Sequence, residues 1–293
     1  MLMKDYLSNG IIEIEVSRLG AELQSLRKVS SPQEYLWQGD SAFWGRRAPI
    51  LFPIVGKVWD DTAHIDGATY ELHQHGFARD MEFRLVVEED RHLGYELHAD
   101  EHSLQLFPRD FTLRIDYRLL RNVLTVEWRI DNNDTRLLPF QIGAHPAFNY
   151  PHYHADDDVH GFFSFDAASP LVSSAVEGGF ANGDTFEVPL GDGDLLPLTN
   201  DTFACDTILE ATGRIHRVTL HDREQRPYVT ILHKMPVTAL WSPCGGRAPF
   251  VCIEPWHGRC DDIGFVGEFD RRPFVEHIQP GWNWDDSYQI IIE

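Results

Sequence analysis

The stretch FTLRIDYRLL-RN-VLTVEWRID, residues 111–131, decides the fold class. In both halves apolar and polar side chains alternate, which is the period of a strand with one buried face. Arg121 and Asn122 between the halves are polar and could form a two-residue hairpin turn, although they lack the stronger Asn-Gly signature. The stretch therefore predicts two neighbouring antiparallel strands.

The same alternation recurs along the chain, and no window keeps a helical period. At most a short helical turn is expected at 41–47, and 168–200, which is rich in Ser, Gly, Asp and Pro, is interpreted as long loops. Many short strands without βαβ alternation predict one large all-β domain over residues 1–293, an antiparallel sandwich or barrel. Further strands are expected at 11–16, 69–73, 83–89, 93–99, 161–167, 215–221, 228–233, 237–241, 250–254, 274–278 and 287–293.

Composition narrows the class of function. The 25 Lys and Arg residues face 46 Asp and Glu residues, which gives a formal charge of −21. Such a surface repels phosphate backbones and anionic lipids, so we expect neither a nucleic-acid partner nor a membrane partner. The N-terminus has no apolar signal segment, and no apolar run approaches the length of a membrane span. We therefore expect a soluble, cytoplasmic protein.

The four cysteines are too sparse for a disulfide framework. They are Cys205, Cys244, Cys252 and Cys260, and no two of them form a CxxC pair. Buried free thiols in a reducing compartment are the expectation, which agrees with a cytoplasmic location.

Four stretches interrupt the apolar strands with polar residues next to Gly or Pro. They are RRAPILFPIVGKV (46–58), HQHGFARD (73–80), IGAHPAFNYP (142–151) and VCIEPWHG (251–258). Strand ends and the concave face of a sandwich are the places where polar side chains can converge on a ligand. These stretches are therefore the candidate site.

Glu254 and His145 are the candidate acid–base pair within these stretches. Taken singly, an acid where an apolar strand stops is usually a solvated surface charge, and a histidine between small residues is usually a core residue. Taken together, a carboxylate can accept a proton while an imidazole donates one. Aromatic rings that could stack on a sugar lie beside the polar stretches: Trp44, Phe148, Trp241 and Trp256.

Metal and nucleophile chemistry have weaker support. His73-x-His75 and His152-x-His154 have the spacing of ligands on one strand face. However, such pairs are common by chance among 15 histidines, and no acid follows at a typical metal-site spacing. No GxSxG motif and no phosphate-binding glycine loop is present in the sequence. We predict no metal site.

Together, the motifs resemble the aldose 1-epimerase (galactose mutarotase) superfamily, and most closely its LacX-like branch. The resemblance covers nearly the whole chain and rests on five motifs in the family's order, followed by PGW at 280–282. The five are IEVSRLGAELQSLR (14–27), FWGRRAPILFPIVGKV (43–58), HGFARDMEF (75–83), GAHPAFNYP (143–151) and FVCIEPWHGRCDD (250–262).

The resemblance implies a large β-sandwich of the galactose mutarotase-like type (supersandwich), with an open sugar cleft and no cofactor. By similarity, Glu254 is the general base that removes the proton of the C1 hydroxyl, and His145 is the general acid that protonates the ring oxygen. His75 corresponds to a second histidine near the ring oxygen, and Asp206 to an acid that binds ring hydroxyls. Ring opening, rotation about C1–C2 and reclosure would then interconvert the α and β anomers of a hexose.

Two departures from the classical pattern concern substrate binding. Gly76-Phe77-Ala78-Arg79 stands where the family has a glycine pair, and the family's early Asn-Arg pair has no clear match. Arg47 or Lys57 is expected to replace that pair. Pro255 is expected to keep Glu254 out of helical geometry, and Trp256 to exclude water and raise the carboxyl pKa.

Three alternatives to a neutral-sugar epimerase stay open at this point. A hexose-6-phosphate 1-epimerase could use Arg46, Arg47, Lys57 and Arg79 as a phosphate pocket. A non-catalytic carbohydrate-binding or regulatory protein could keep the same fold, and a metal-dependent cupin-like enzyme is more remote. The expected partner is a small sugar or its phosphate, bound by a monomer or homodimer.

Overall fold

A computed structural model describes residues 3–167, 169–204, 206–243, 245 and 247–293. The described residues form 24 strands, one α-helix, α1 (Glu101–Leu106), and four short 3-10 turns at Trp59–Asp61, Ala78–Asp80, Asp192–Asp194 and Phe269–Arg271. The strands are β1 (Lys4–Ser8), β2 (Ile12–Ser17), β3 (Leu23–Lys28), β4 (Ile50–Leu51), β5 (Thr62–Ile65), β6 (Ala68–Glu71), β7 (Arg84–Glu89), β8 (His92–His98), β9 (Phe111–Leu120), β10 (Val123–Asn132), β11 (Leu138–Phe140), β12 (Ile142–Ala144), β13 (Ala147–Asn149), β14 (Gly161–Phe165), β15 (Leu171–Glu177), β16 (Phe180–Val188), β17 (Leu196–Leu198), β18 (Ile208–Glu210), β19 (Arg217–His221), β20 (Pro227–Leu232), β21 (Val237–Trp241), β22 (Phe250–His257), β23 (Glu276–Ile278) and β24 (Asn283–Ile292).

Two large antiparallel sheets dominate the architecture. One has nine strands in the order β17-β14-β19-β20-β24-β10-β9-β8-β7. The other has eight, of which seven lie in the order β16-β15-β18-β21-β22-β12-β4 and the eighth, β13, pairs with β22. A three-stranded sheet, β1-β2-β3, and two two-stranded ribbons, β5-β6 and β11-β23, complete the described structure. The predicted antiparallel all-β sandwich is confirmed.

The hairpin predicted at 111–131 lies in the interior of the nine-stranded sheet, between β24 and β8. β9 and β10 pair in continuous register from Val123↔Leu120 to Asn132↔Phe111. Arg121 adopts a left-handed backbone conformation, φ 54°, which lets the chain reverse within two residues. Side chains on one face of both strands are buried, so the period-two pattern corresponds to the core-facing side.

One local expectation is wrong, because the stretch 168–200 contains the β15–β16 hairpin rather than only long loops. At 41–47 the chain forms a turn, in which the backbone N–H groups of Phe43 and Trp44 donate to the Asp40 backbone oxygen, and this is consistent with the expected short helical turn at most. β16 is mostly exposed, so its sequence lacks apolar alternation, and Gly178 and Gly179 supply the tight turn at positive φ. The helix α1 was not predicted because it is only six residues long; a capping box between Asp100 and Ser103 starts it.

β22 carries the motif VCIEPWH through the middle of the eight-stranded sheet. Glu254 was expected where the strand stops, but the strand continues to His257, so that expectation is wrong. Val251 and Ile253 point into the main hydrophobic core. Cys252 and Trp256 belong to two smaller clusters, on the opposite face of the strand. The side chains of Cys252, Glu254 and Trp256 therefore share one face of β22, the even-numbered face, which points away from the main hydrophobic core.

The cysteine and membrane expectations have partial outcomes. Cys252 and Cys260 are free and buried, as expected. Cys205 and Cys244 lie outside the described residues. Within the described ranges, no helix is long and apolar enough to cross a membrane.

Candidate active site

A cavity of about 270 Å³ lies over the even-numbered face of β22. Its wall includes the predicted catalytic pair together with other ionisable and aromatic side chains from separate parts of the chain. Convergence of a few polar groups within a mainly apolar pocket is typical of a small-molecule site. The side chains that matter below are Trp44, His75, Arg79, His145, Asp206, Trp241, Glu254 and Trp256.

Strand register brings His145 and Glu254 together. β12 pairs with β22 through Gly143↔Trp256, and β13 pairs with the same strand through Ala147↔Cys252. Both pairings share one register, and extending it across the gap between β12 and β13 sets His145 directly opposite Glu254. Opposite residues on an antiparallel pair project their side chains to the same face. A separation of 109 positions in sequence thus becomes a cross-strand contact.

The two side chains are in contact and almost fully buried. His145 Nε2 lies 3.1 Å from Glu254 Oε2, while His145 is 7% exposed and Glu254 is 1% exposed. The contact lacks hydrogen-bond alignment: within the described part of the chain, neither Glu254 Oε2 nor His145 Nδ1 has a hydrogen-bond partner. Buried polar atoms without a partner are rare and costly, so these two atoms are available to a ligand.

Burial shifts the pKa values of the pair in opposite directions. It raises the pKa of the Glu254 carboxyl well above its usual range, and the negative charge of Asp206 adds to that effect. It lowers the pKa of the His145 imidazole to about 3, and the positive charges of Arg79 and Arg46 act in the same direction. Removal from water disfavours the charged form of each group. The pair therefore favours holding one proton in total across a wide pH range.

Two tryptophans enclose the His145 ring. Trp44 stacks on it at 4.7 Å between ring centroids and 28° between planes, and Trp241 meets it edge-on at 5.6 Å. An aromatic face stabilises a cation placed over it, so the stacked indole favours the imidazolium form. This partly opposes the effect of burial on His145.

Trp256 forms a fixed wall of the cavity. Its Nε1 donates a hydrogen bond to the backbone oxygen of Ala144 at 3.1 Å, and the side chain is 6% exposed. Gly143 lies under the ring, where a Cβ atom would stand 2.4 Å from Trp256 Cδ1. The indole thus fills space beside the carboxylate, while its expected role in excluding water stays a prediction.

His75 enters the cavity from a strained turn. His75 and Gly76 have φ values of 68° and 69°, and a Cβ at Gly76 would lie 2.2 Å from the backbone oxygen of Phe52. The backbone N–H of Gly56 donates to His75 Nδ1 at 3.1 Å. Burial lowers the pKa of His75 well below its usual range, so the ring is neutral and carries its proton on Nε2. It is a hydrogen-bond donor 5.6 Å, centroid to centroid, from the His145 ring.

Asp206 and Arg79 supply opposite charges in the same cavity wall. Burial raises the pKa of Asp206, and a hydrogen bond from the Thr207 backbone and the charge of Lys57 only partly offset this. Burial lowers the pKa of Arg79 to about 10. Arg79 Nη2 donates to the Gln74 backbone oxygen at 2.6 Å, and its buried Nε has no hydrogen-bond partner among the described residues.

Arg47 and Lys57 lie behind the cavity rather than in its wall. Arg47 Nη1 donates to the backbone oxygen of Gln24 at 2.7 Å. Lys57 Nζ donates to the backbone oxygen of Gly178 at 3.0 Å. The neighbouring residue Gly179 lines the cavity and contacts the Lys57 side chain. Their assignment as substrate-binding residues stays a prediction.

Some features of the site were not anticipated from sequence. The two histidines of His73-x-His75 separate: His73 is exposed and near Glu71, whereas His75 is buried in the cavity wall. The Trp44–His145 stack brings together segments about 100 residues apart, and no spacing rule signals it.

Comparison with known proteins identifies the family. The family model for aldose 1-epimerase matches residues 6–265. The chain is 28% identical over 295 residues to the chromosomal protein LacX of Lactococcus lactis subsp. lactis, and the match covers 98% of each chain. A galactose mutarotase-like protein from Lactobacillus casei superposes with a TM-score of 0.94 at 30% identity, over 99% of this chain and 100% of that one. A galactose mutarotase related enzyme from Lactobacillus acidophilus gives 0.92 at 26% identity, over 99% and 97%. The chain therefore belongs to the aldose 1-epimerase family.

Proposed function

We propose that this protein interconverts the α and β anomers of a neutral aldohexose, with Glu254 as general base and His145 as general acid. The observation that carries the proposal is the 3.1 Å contact between Glu254 Oε2 and His145 Nε2 on the cavity wall. In a cyclic sugar the C1 hydroxyl oxygen and the ring oxygen are bonded to the same carbon. A base for one and an acid for the other must therefore lie side by side.

In the proposed reaction, two proton transfers open the sugar ring and the reverse transfers close it again. The Glu254 carboxylate accepts the proton of the C1 hydroxyl while the His145 imidazolium donates a proton to the ring oxygen, so the C1–O5 bond breaks and an open-chain aldehyde forms. Rotation about C1–C2 presents the other face of the carbonyl. Reclosure returns each proton to the group that supplied it and produces the other anomer.

The proton count of the pair fits this cycle. Carboxylate with imidazolium and carboxylic acid with neutral imidazole hold the same number of protons, and the pair has no net charge in either form. Burial favours the second form, which is the state reached after ring opening. The Trp44 face favours the first form, which starts the cycle. Opposing effects of this kind keep the two states closer in free energy than burial alone would allow.

The cations around the cavity favour a neutral sugar over a sugar phosphate. Arg46 is paired with Asp80 at 2.8 Å, and Arg47 and Lys57 donate to backbone oxygens. Of the four cations considered for a phosphate pocket, only Arg79 lines the cavity. A single guanidinium beside acidic groups suits sugar hydroxyls better than a dianion. The cavity volume, about 270 Å³, is slightly below the usual range for drug-sized ligands and suits a monosaccharide.

Anomer exchange measured by NMR tests the proposal. We expect the protein to accelerate exchange between the α and β anomers of glucose or galactose above the spontaneous rate, with a lower kcat/KM for the corresponding 6-phosphates. Polarimetry on freshly dissolved α-anomers gives an independent rate. Sugar binding without accelerated exchange on any aldose would instead indicate a carbohydrate-binding protein, and a preference for the 6-phosphates would refute the neutral-substrate assignment.

A further inference from the structure

Cys252 lies beside the His145–Glu254 pair, on the same face of β22. Residues 252 and 254 of one strand project to the same side, and the register sets His145 opposite residue 254. The Cys252 sulfur, a carboxylate oxygen of Glu254 and a ring nitrogen of His145 all lie within 4.8 Å of one another. Thiolate, imidazole and carboxylate are the three ligand types that zinc takes in proteins.

We propose that Cys252, Glu254 and His145 form an inhibitory binding site for Zn²⁺. Three atoms no more than 4.8 Å apart have a common point within about 2.8 Å of each, and zinc–ligand distances are about 2.0–2.3 Å. Each ligand atom therefore has to move by less than about 1 Å. Side-chain rotation alone can supply such a movement, without any shift of the strands.

Two polar atoms of this group lack a hydrogen-bond partner among the described residues. His145 Nδ1 and Glu254 Oε2 are buried and, within the described ranges, have no hydrogen-bond partner. The two residues are 7% and 1% exposed, and both line the cavity, so an ion can reach them from that side. Binding of a metal ion therefore relieves the free-energy cost of leaving these buried polar atoms without a partner.

The ligand types favour zinc over the hard divalent cations, and the charges of the ligands balance that of the ion. On binding, the Cys252 thiol proton and the proton shared by Glu254 and His145 leave to water. A thiolate, a carboxylate and a neutral imidazole then neutralise the ion's two positive charges inside the apolar site. Mg²⁺ and Ca²⁺ prefer all-oxygen ligands, so they are not expected to bind here.

Inhibition follows from the identity of the ligands. With a zinc ion bound, Glu254 cannot accept the proton of the sugar and His145 cannot donate one; this consequence rests on the proposed function. Zinc binding itself does not rest on it, because the three donors are present whether or not the protein turns over a sugar. Zinc and substrate are therefore expected to compete.

Titration of the purified full chain with Co²⁺ tests the site directly. Cobalt takes the same ligands as zinc, and a cobalt–thiolate bond produces an intense near-ultraviolet absorption. We expect that band in the unaltered protein and its loss in Cys252→Ala. The matched control is Cys260→Ala, because Cys260 is also a buried free cysteine that lines the cavity but lies outside the three-residue group. Cys252→Ser is the second variant, in case the alanine substitution impairs folding, which far-ultraviolet circular dichroism monitors.

Calorimetry with Zn²⁺ supplies the affinity. Loss of a residue that only supports a ligand already weakens metal binding by about 10–100-fold, so removal of the Cys252 ligand should weaken it at least tenfold. Absence of the band in the unaltered protein, its persistence in folded Cys252→Ala or Cys252→Ser, or its loss in folded Cys260→Ala would overturn the proposal.

Activity measurements separate this proposal from the proposed function. A protein that is inactive on every sugar but shows the Cys252-dependent band would refute only the epimerase assignment. A protein that is active, lacks the band and is unaffected by zinc would refute only the zinc site.

Discussion

Replacement of Arg272 by methionine should destabilise the protein strongly, because this arginine holds a buried polar cluster behind the cavity. Arg272 Nε donates to Asp261 Oδ1 and Nη1 donates to Gln141 Oε1, both at 2.6 Å, and the two charged residues are 3% and 2% exposed. Gln141 Oε1 also accepts from the Val55 backbone N–H at 3.1 Å. The cluster thus ties together the segments that carry Gly56 and Cys260 of the cavity wall.

Removal of one partner leaves the Asp261 carboxylate buried and unpaired, which costs about 3–5 kcal/mol. With an unfolding entropy of about 2.1 cal/mol/K per residue, 293 residues give about 0.6 kcal/mol/K, so Tm should fall by about 5–8 °C. Differential scanning calorimetry measures this shift. The control is Arg129→Met, which breaks an exposed pair with Asp131 and should lower the free energy of unfolding by at most about 1 kcal/mol.

A second substitution distinguishes an unpaired charge from lost packing. Asp261→Asn removes the charge but keeps an oxygen that can accept the Trp59 backbone N–H, now 2.9 Å from Asp261 Oδ2. The double variant with Arg272→Met should therefore recover part of the loss. A Tm shift in Arg272→Met no larger than in Arg129→Met, or a double variant less stable than Arg272→Met alone, would refute the reasoning.

Three further predictions concern the cavity wall and the sheet beneath it. Trp44→Leu removes the aromatic face from the His145 imidazolium, worth about 1–2 kcal/mol, and should lower kcat/KM in anomer exchange by about 5- to 30-fold; an unchanged value would contradict the role of the stack. Gly143→Ala introduces a Cβ 2.4 Å from Trp256 Cδ1 and should cost about 1–3 kcal/mol in urea unfolding, and a neutral result would mean that the indole has room to move. Burial alone would lower the pKa of His257, but hydrogen bonds to Asp286 and Glu276 outweigh it and raise the pKa. The stability that His257 contributes is therefore complete below a pH of about 6.5 and is lost as the pH rises through the raised pKa. The Tm of the unaltered protein should fall over that pH range, and the Tm of His257→Gln should not show this fall. Parallel Tm–pH profiles of the two proteins would contradict the prediction.

Strand prediction succeeded at β9 and β10, where one face of each strand is buried, and failed at β16, where neither face is. β9 and β10 alternate because one side of each contacts the core, so their sequence carries the period. β16 is mostly exposed and carries no apolar period, although it pairs with β15. The register between the two strands shifts between Ser174 and Val176, opposite residues 182–184 of β16. Backbone hydrogen bonds join the two strands of this hairpin, and such bonds do not require a particular pattern of side chains.

The motifs named the residues of the candidate site but not their arrangement. Glu254 and His145 were singled out by residue type and by resemblance, whereas their contact depends on a register that the sequence alone does not specify. The same holds for Cys252, whose position beside the pair becomes visible only once Glu254 is placed within a strand rather than at its end. Arg47 shows the converse limit, because a cation near a motif can be bound to a backbone oxygen instead of facing the cavity.

The most direct test of the account compares Glu254→Gln with Glu210→Gln in the NMR anomer-exchange assay. Both glutamates are 1% exposed, but Glu210 adjoins the cavity-lining Leu209 on its strand and points to the opposite face. Loss of the general base should lower kcat/KM by about 10²–10⁴-fold in Glu254→Gln, while Glu210→Gln stays near the unaltered protein. His145→Asn should resemble Glu254→Gln, and the double variant should be little worse than either, because the pair acts as a unit. Undiminished exchange in folded Glu254→Gln would contradict the central claim.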